Sequence, residues 1–395
     1  MGALDGIRVL DIGLLVQAPQ AALLLGDFGA DVIKVELPGF GDQSRWIPST
    51  WGAPNSGYWE GCNRGKRSVT IDLRKPDGRD TFLRLADTAD ILISNFVPGT
   101  LDGWGLGYEV FEKRHPRLIY ATGSTYGPLG ADAHLEGADL AGQSAGGLIS
   151  TTGIDGGPVT PIGATIADHM SSQHLAAGIL AALFARVTTG RGQRVDVSLV
   201  GGAIWAQASE MTAYLLSDKV PGRSNGGHSL INGTYGIVTT SDGYLALVGV
   251  VASARQPFAD LIGWPGIFED PRFASPFFTE AHKIELLGEL NPIFAQRTTA
   301  AWVAALREIR VRCAPVRNYA EIAADPTVYE NGYLVRTTHP ERGDVTIVGS
   351  PLRMSDTPTT PSVYAPQLGE NTEEVLLEIG LGWDEIATLH ESGAI

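Results

Sequence analysis

The chain has 395 residues, 44% of them hydrophobic and 18% charged, with a net charge of −15. That length exceeds what one hydrophobic core usually serves, so about two domains are expected, and the composition is that of an ordered globular protein. The acidic balance excludes a broad electrostatic footprint for nucleic acid or an anionic membrane surface, although a local basic cluster can still hold a phosphate.

The N-terminal MGALDGIRVLDIG runs straight into a strand-like pattern, with no basic segment and apolar stretch of a secretory signal. No run of about 18 apolar residues follows, so the expectation is neither secretion nor membrane insertion. Cys62 and Cys313 are far apart and lack metal-ligand spacing, which fits a reducing, cytoplasmic setting with no disulfide framework.

Through residue 200 short apolar runs alternate with longer helical patterns, the grammar of an α/β fold. Residues 7–12 (IRVLDI) read as a buried strand, 17–28 as a helix, 31–36 (DVIKVE) as a strand and 68–73 (SVTIDL) as another. Pro76 opens a helix reaching about Thr88, since proline is preorganised for a first helical turn. Residues 90–96 and 117–122 read as further parallel strands, 168–188 as the longest helix, and TGRGQRVDVSLV as a turn and strand. A doubly wound, Rossmann-like sheet is expected over 1–200.

Beyond residue 200 the pattern changes. An apolar helical stretch (201–216) precedes a segment rich in Gly, Ser and Asn (220–236), so 201–225 reads as a linker. A hairpin around Asp242-Gly243 and helices at 257–262 and 299–309 make 226–325 a smaller α+β domain. The remainder, 326–395, reads as a linker with a further strand near Val345 and one amphipathic helix, EEVLLEIGLGW, returning to the large domain.

A doubly wound fold suggests a dinucleotide enzyme, but no G-x-G-x-x-G, P-loop or G-x-S-x-G is present. His169 and His174 stand five apart, off a common helix face, so they do not form a metal pair. Asp168 sits where a loop becomes the long helix, where free backbone N–H groups and the helix dipole favour an ionised acid. Read locally it is first an ordinary helix cap, with a nucleophile as the alternative. Arg64, Lys66, Arg67, Arg74 and Lys75 flank one strand, either as phosphate ligands or as solvated charges.

The blocks VLDIGLLVQAPQAALLLGDFGADVIKVE, NRGKRSVTIDLRKPDGR, ADILISNFVPGTLDGWGLGYE, PIGATIADHMSSQHLAAGILAALFARVTTGRGQRVDVSL and CAPV…APQLGENTEEVL, in this order, resemble the class III CoA-transferases, relatives of α-methylacyl-CoA racemase. The resemblance implies an interlocked homodimer of ring-like subunits, with acyl-CoA and a small carboxylic acid as substrates and no metal or NAD. It implies that Asp168 is the nucleophile, forming a mixed anhydride and then an aspartyl-CoA thioester. It further implies that Gln17 is the active-site glutamine and that Asp139 stands where formyl-CoA transferase has a glutamate. Val16, Ile71, Arg74, Asn95 and Phe96 match CoA-contacting positions, and Asn225-Gly226-Gly227 lies loosely near a glycine loop. Pro38, Gly103 and Glu136 replace basic CoA-binding residues of formyl-CoA transferase, so Arg45, Arg64 or Lys66 are expected to take over the CoA phosphates. Ala138 occupies the place of the racemase histidine, which disfavours racemase or epimerase chemistry. A non-catalytic CoA-binding role is the remaining alternative, and the intact Gln17 and Asp168 speak against it.

Overall fold

The computed structural model describes residues 1–48, 56–275, 278–339, 342–362 and 364–395. The chain forms two compact units, one from 1–146, 163–206 and 326–395, the other from 147–162 and 207–325.

The first unit is built on six parallel strands: β1 (Arg8–Asp11), β2 (Asp31–Glu36), β3 (Arg67–Thr70), β4 (Ile91–Ser94), β5 (Ile119–Ser124) and β6 (Arg194–Ser198). Their order is β3-β2-β1-β4-β5-β6, so chain direction across the sheet reverses between β1 and β4. Alternation along each strand feeds two apolar layers. Leu10, Ile33, Leu92 and Tyr120 pack with Phe82 and Leu85 on one face. Val9, Val32, Ile91 and Ile119 pack on the other, against α1 (Gln17–Asp27) and the long helix. Further elements of this unit are α2 (Gly57–Asn63), α3 (Pro76–Ala86), α4 (Asp139–Ala145), α5 (Ile166–Thr189) and α6 (Leu199–Ala206). Gly190, at φ 70°, ends α5, a conformation that favours glycine.

β3 lies at the sheet edge, and its open side is closed by the returning C-terminal segment. Asn371 Oδ1 accepts from Ser68 N–H at 3.1 Å and Thr372 Oγ1 accepts from Thr70 N–H at 3.0 Å. The single C-terminal helix expected from sequence is two, because Gly380 turns left-handed at φ 85° between Thr372–Glu378 and Trp383–Glu391. The strand expected near Val345 is one arm of an antiparallel hairpin, Leu334–His339 with Gly343–Val348.

The second unit has a three-stranded antiparallel sheet of β7 (Tyr235–Thr239), β8 (Tyr244–Val248) and β9 (Cys313–Pro315). It also contains the helices Arg255–Leu261 and Thr299–Glu308. The helix Glu280–Phe294 has no counterpart in the sequence reading, because Pro292 and Gly288 obscure its period; Pro292 lies in its last turn and has no N–H to give the carbonyl four residues before it. The apolar stretch at 201–216 is interrupted at Gln207, outside helical geometry at φ −116°, ψ 28°. Among the described residues no helix is long and apolar enough to cross a membrane.

Candidate active site

Between β1 and α1 the backbone is neither helix nor strand, and side chains satisfy it. Gly13 N–H donates to Asp11 Oδ1 at 2.9 Å, Leu14 N–H to Asn95 Oδ1 at 2.7 Å, and Leu15 N–H to Asp42 Oδ1 at 3.0 Å. Asn95 Nδ2 returns a bond to Leu14 O at 2.8 Å, so its amide clamps one residue from both sides. Leu15 is held left-handed at φ 63°, a costly geometry for a leucine, and this turn delivers the buried Val16 and Gln17 to the start of α1.

Beneath the turn lies a buried ionic network. Lys34 Nζ is 2.9 Å from Asp42 and 3.5 Å from Asp11, and also donates to Gly13 O. Burial alone would lower its pKa, but Asp11, Asp42 and Glu36 reverse this and hold it up at about 12. Lys66 donates to Asp11 Oδ2 at 2.7 Å, Asn63 Oδ1 at 2.7 Å and Pro19 O at 2.8 Å. For Lys66 burial wins over Asp11, with help from the Lys34 charge, and its pKa falls to about 8.

Arg64, Lys66 and Arg45, the residues expected to meet the CoA phosphates, are each engaged within the fold. All three N–H bonds of the Lys66 ammonium are already used. Arg64 forks onto Asp27 at 2.6 and 2.8 Å with 6% of its side chain exposed. Arg45 forks onto Glu36 at 2.8 and 2.7 Å and lies 3.4 Å above the Trp59 ring. Freeing any of them would break an ion pair to a buried carboxylate. Arg74 differs: its side chain is 56% exposed and, among the described residues, holds only Asp72, at 2.8 and 2.9 Å. Together with Ile71, Phe96 and Trp104 it lines an apolar groove at the carboxyl ends of β1 to β4. Val16 is buried and Asn95 is occupied with the turn, so neither lines this groove, although the clamped Leu14 does.

At the start of α5 the capping question is settled by a different aspartate. Thr165, the cap position, makes no side-chain cap bond. Asp139, at the head of α4, instead accepts from Ala167 N–H at 2.8 Å and Asp168 N–H at 3.3 Å through Oδ1. Its Oδ2 takes a bond from Gln143 Nε2 at 2.6 Å. Asp168 is thereby released from the capping role. It is half-buried, and no donor among the described residues meets its carboxylate. Burial, and then repulsion from Asp139, push its pKa up to about 7.

Gln17 Nε2 donates to Ser171 Oγ at 3.0 Å and Ser124 O at 3.3 Å, and Ser171 Oγ donates to Asp168 O at 3.0 Å. Gln17, Ser171 and the Asp168 backbone thus form one chain of bonds between α1 and α5. It fits only because residue 123 is glycine, since a Cβ there would lie 2.3 Å from Gln17 Oε1. One turn along, Gln20 Oε1 meets His169 Nδ1 at 2.6 Å and Ser172 Oγ at 2.8 Å, and His169 Nε2 lies 3.2 Å from Thr165 Oγ1. Burial lowers the His169 pKa, which keeps the ring neutral. Cys62 is inert as a nucleophile, its thiol pushed up to about 11 by burial. The sequence reading missed Gly123, Ser171 and Lys34. A lysine within the apolar strand DVIKVE was the one usable signal.

The model of CoA-transferase family III matches residues 4–372. A formyl-CoA:oxalate CoA-transferase of Rhodopseudomonas palustris is 32% identical, covering 100% of this chain and 97% of its own. A succinyl-CoA:glutarate CoA-transferase of Mus musculus is 31% identical, covering 98% and 88%. A crystal structure of a CAIB/BAIF family protein from Brucella suis superposes with a TM-score of 0.83 at 31% identity, over 96% of this chain and 99% of the other. With its parallel sheet, its groove at the strand ends and an uncapped acid at the head of α5, the chain belongs to CoA-transferase family III and is a class III CoA-transferase.

Proposed function

We propose that the enzyme moves CoA from an acyl-CoA donor to a small carboxylic acid, with Asp168 as the covalent intermediary. The observation that carries this reading is the Asp168 carboxylate itself, which stands in the first turn of a 24-residue helix while Asp139 accepts the bonds a capping aspartate would take. Asp168 attacks the thioester carbonyl and expels CoA thiolate, giving a mixed anhydride. The thiolate then attacks the aspartyl carbonyl, releasing the donor acid and leaving an aspartyl-CoA thioester. The acceptor carboxylate reverses both steps, so each bond broken is replaced by one of comparable energy and neither ATP nor metal is consumed. Partial burial favours the exchange because water would hydrolyse the anhydride. Gln17 orients the first turn of α5 through Ser171; both N–H groups of its amide are engaged in the free enzyme, so in this reading one leaves the 3.3 Å bond to Ser124 O and donates to the carbonyl oxygen as charge develops there. Ile71, Phe96 and Arg74 receive the CoA in the groove at the strand ends.

The test is intact-protein mass spectrometry after incubation with a panel of acyl-CoAs, with and without hydroxylamine. An adduct that maps to Asp168 and is absent from Asp168→Ala supports the reading. Tight CoA binding without an adduct would move the assignment to a binding protein, and solvent deuterium entering the α-carbon would move it to a racemase.

Burial, and after it Asp139, sets the pH range of this chemistry. The Asp168 pKa of about 7 means that kcat/KM rises with pH through neutrality as the nucleophile ionises. Asp139→Asn removes the like charge, so ionisation becomes easier and the rising limb is expected to move to lower pH. An unmoved limb in stopped-time assays from pH 5 to 9 would separate Asp139 from the nucleophile.

We also infer a homodimer. α5 exposes Phe184 and Val187 at 79% and 82%, and α6 exposes Trp205 at 67%, more apolar surface than a free monomer helix normally leaves in water. Light scattering behind a sizing column is expected to return twice the 41.9 kDa chain mass. A single-chain mass at micromolar concentration would refute the inference.

A further inference from the structure

The second unit holds a cavity beside the end of the β7–β8 hairpin that uses none of the residues assigned above. Arg255 and Arg312 stand on it together with Thr234, and Val250, Phe268 and Phe278 supply apolar walls. Arg255 is half-buried and held by the fold, and Arg312 is exposed. Arg255 donates to Ala274 O at 2.7 Å and lies 4.8 Å over the Phe268 ring, leaving further N–H groups of its fork unspent. Arg312 folds back across Gly249, where a Cβ would lie 3.2 Å from its Nη2. Gly249 is also left-handed at φ 85°, so the glycine both turns the chain and makes room for the guanidinium.

Neither arginine has a carboxylate within ion-pair distance among the described residues. In the same unit Arg272 illustrates the usual arrangement, with Asp270 at 2.7 Å and Glu285 at 3.2 Å. Two guanidiniums line one apolar-walled cavity with no carboxylate paired to either among the described residues, so their N–H groups are open to an anion. Guanidinium forks match the planar geometry of a carboxylate. Val250, Phe268 and the nearly buried Phe278 offer contact to a carbon skeleton, which inorganic phosphate lacks.

We propose that this cavity is a binding site for an organic carboxylate with an apolar body. The charged group meets Arg312 and Arg255, and the body lies against Phe268 and Phe278.

The test is isothermal titration of the full-length protein with benzoate, benzamide and inorganic phosphate. Benzoate is expected to bind wild type and Asp168→Asn alike, which keeps the result independent of the nucleophile. Arg312→Ala is expected to weaken benzoate at least about tenfold, the cost of a charge-assisted bond, and Arg312→Gln serves the same purpose should the alanine variant be unstable. Benzamide, isosteric and neutral, is expected to bind correspondingly less well. Equal benzoate affinity in wild type and both Arg312 variants, or no benzoate heat in wild type, overturns the site. Phosphate binding as tightly as benzoate overturns the carboxylate assignment.

Discussion

Asp168→Asn is expected to lose CoA transfer by about ten-thousandfold or more, because removing a covalent nucleophile leaves no alternative route through the same intermediates. The same substitution is expected to make the protein more stable at pH 8. Asp168 titrates at about 7 in the folded chain and near 4 when unfolded, so its folded pKa is raised. Its carboxyl therefore favours the folded state fully below pH 4, and that contribution is lost as pH rises through 7. The difference is up to about 4 kcal/mol, an order-of-magnitude figure. Thermal melts should place the asparagine variant a few degrees above wild type at pH 8, with the gap closing towards pH 4. A variant less stable than wild type at pH 8 would mean that Asp168 is held by favourable contacts rather than poised against them. Retained transfer at wild-type rates would remove it from the chemistry altogether.

Gly123→Ala is the second substitution with a large expected effect, although residue 123 touches no substrate in the proposed mechanism. Its Cβ would fall 2.3 Å from Oε1 and 2.5 Å from Cδ of Gln17, so the amide must leave its place between Ser124 and Ser171. If Gln17 supplies a donor to the developing oxyanion, kcat should fall about a hundred- to a thousandfold while CoA affinity stays close to wild type. Gln17→Ala should lose a similar factor. Because the shorter side chain vacates the contested space, adding Gly123→Ala to that background should cost almost nothing more. Additive losses in the double variant would show that Gly123 acts through the backbone of β5 instead.

The contrast between Asp168 and the basic cluster explains how far the sequence could be read. Buried parallel strands such as DVIKVE announce themselves as short apolar runs, and the α/β alternation follows from them. Asp168 was visible because a helix start is a local signal. The fate of Arg64 and Lys66 was not, since it depends on carboxylates brought from 37 and 55 residues away. A cation in a sequence carries no mark of whether it will face water or Asp27. Gly123 is similar: its meaning rests on Gln17, 106 positions earlier, and in isolation it reads as an ordinary strand glycine. The lost helix at 280–294 and the divided C-terminal helix have simpler causes, a proline and a left-handed glycine placed where periodicity blurs the boundary.

The closure of β3 by Asn371 and Thr372 also governs the order in which the molecule can be made. The partners of Ser68 and Thr70 are about 300 residues downstream, and Val375, Leu376, Ile386 and Leu389 complete the layer that contains Phe82 and Leu85. At roughly 5–20 residues per second a ribosome needs about 15–60 s to supply them. Throughout that interval a nascent chain carries an open sheet edge and an unfinished apolar layer, the two features most prone to pairing with a neighbour. A chain ended before Asn371 is expected to sediment with the insoluble fraction under conditions that keep the full chain in solution, and equal solubility would show that β3 is protected by other means. For this fold a segment translated about 300 residues later is the one that makes the edge strand safe.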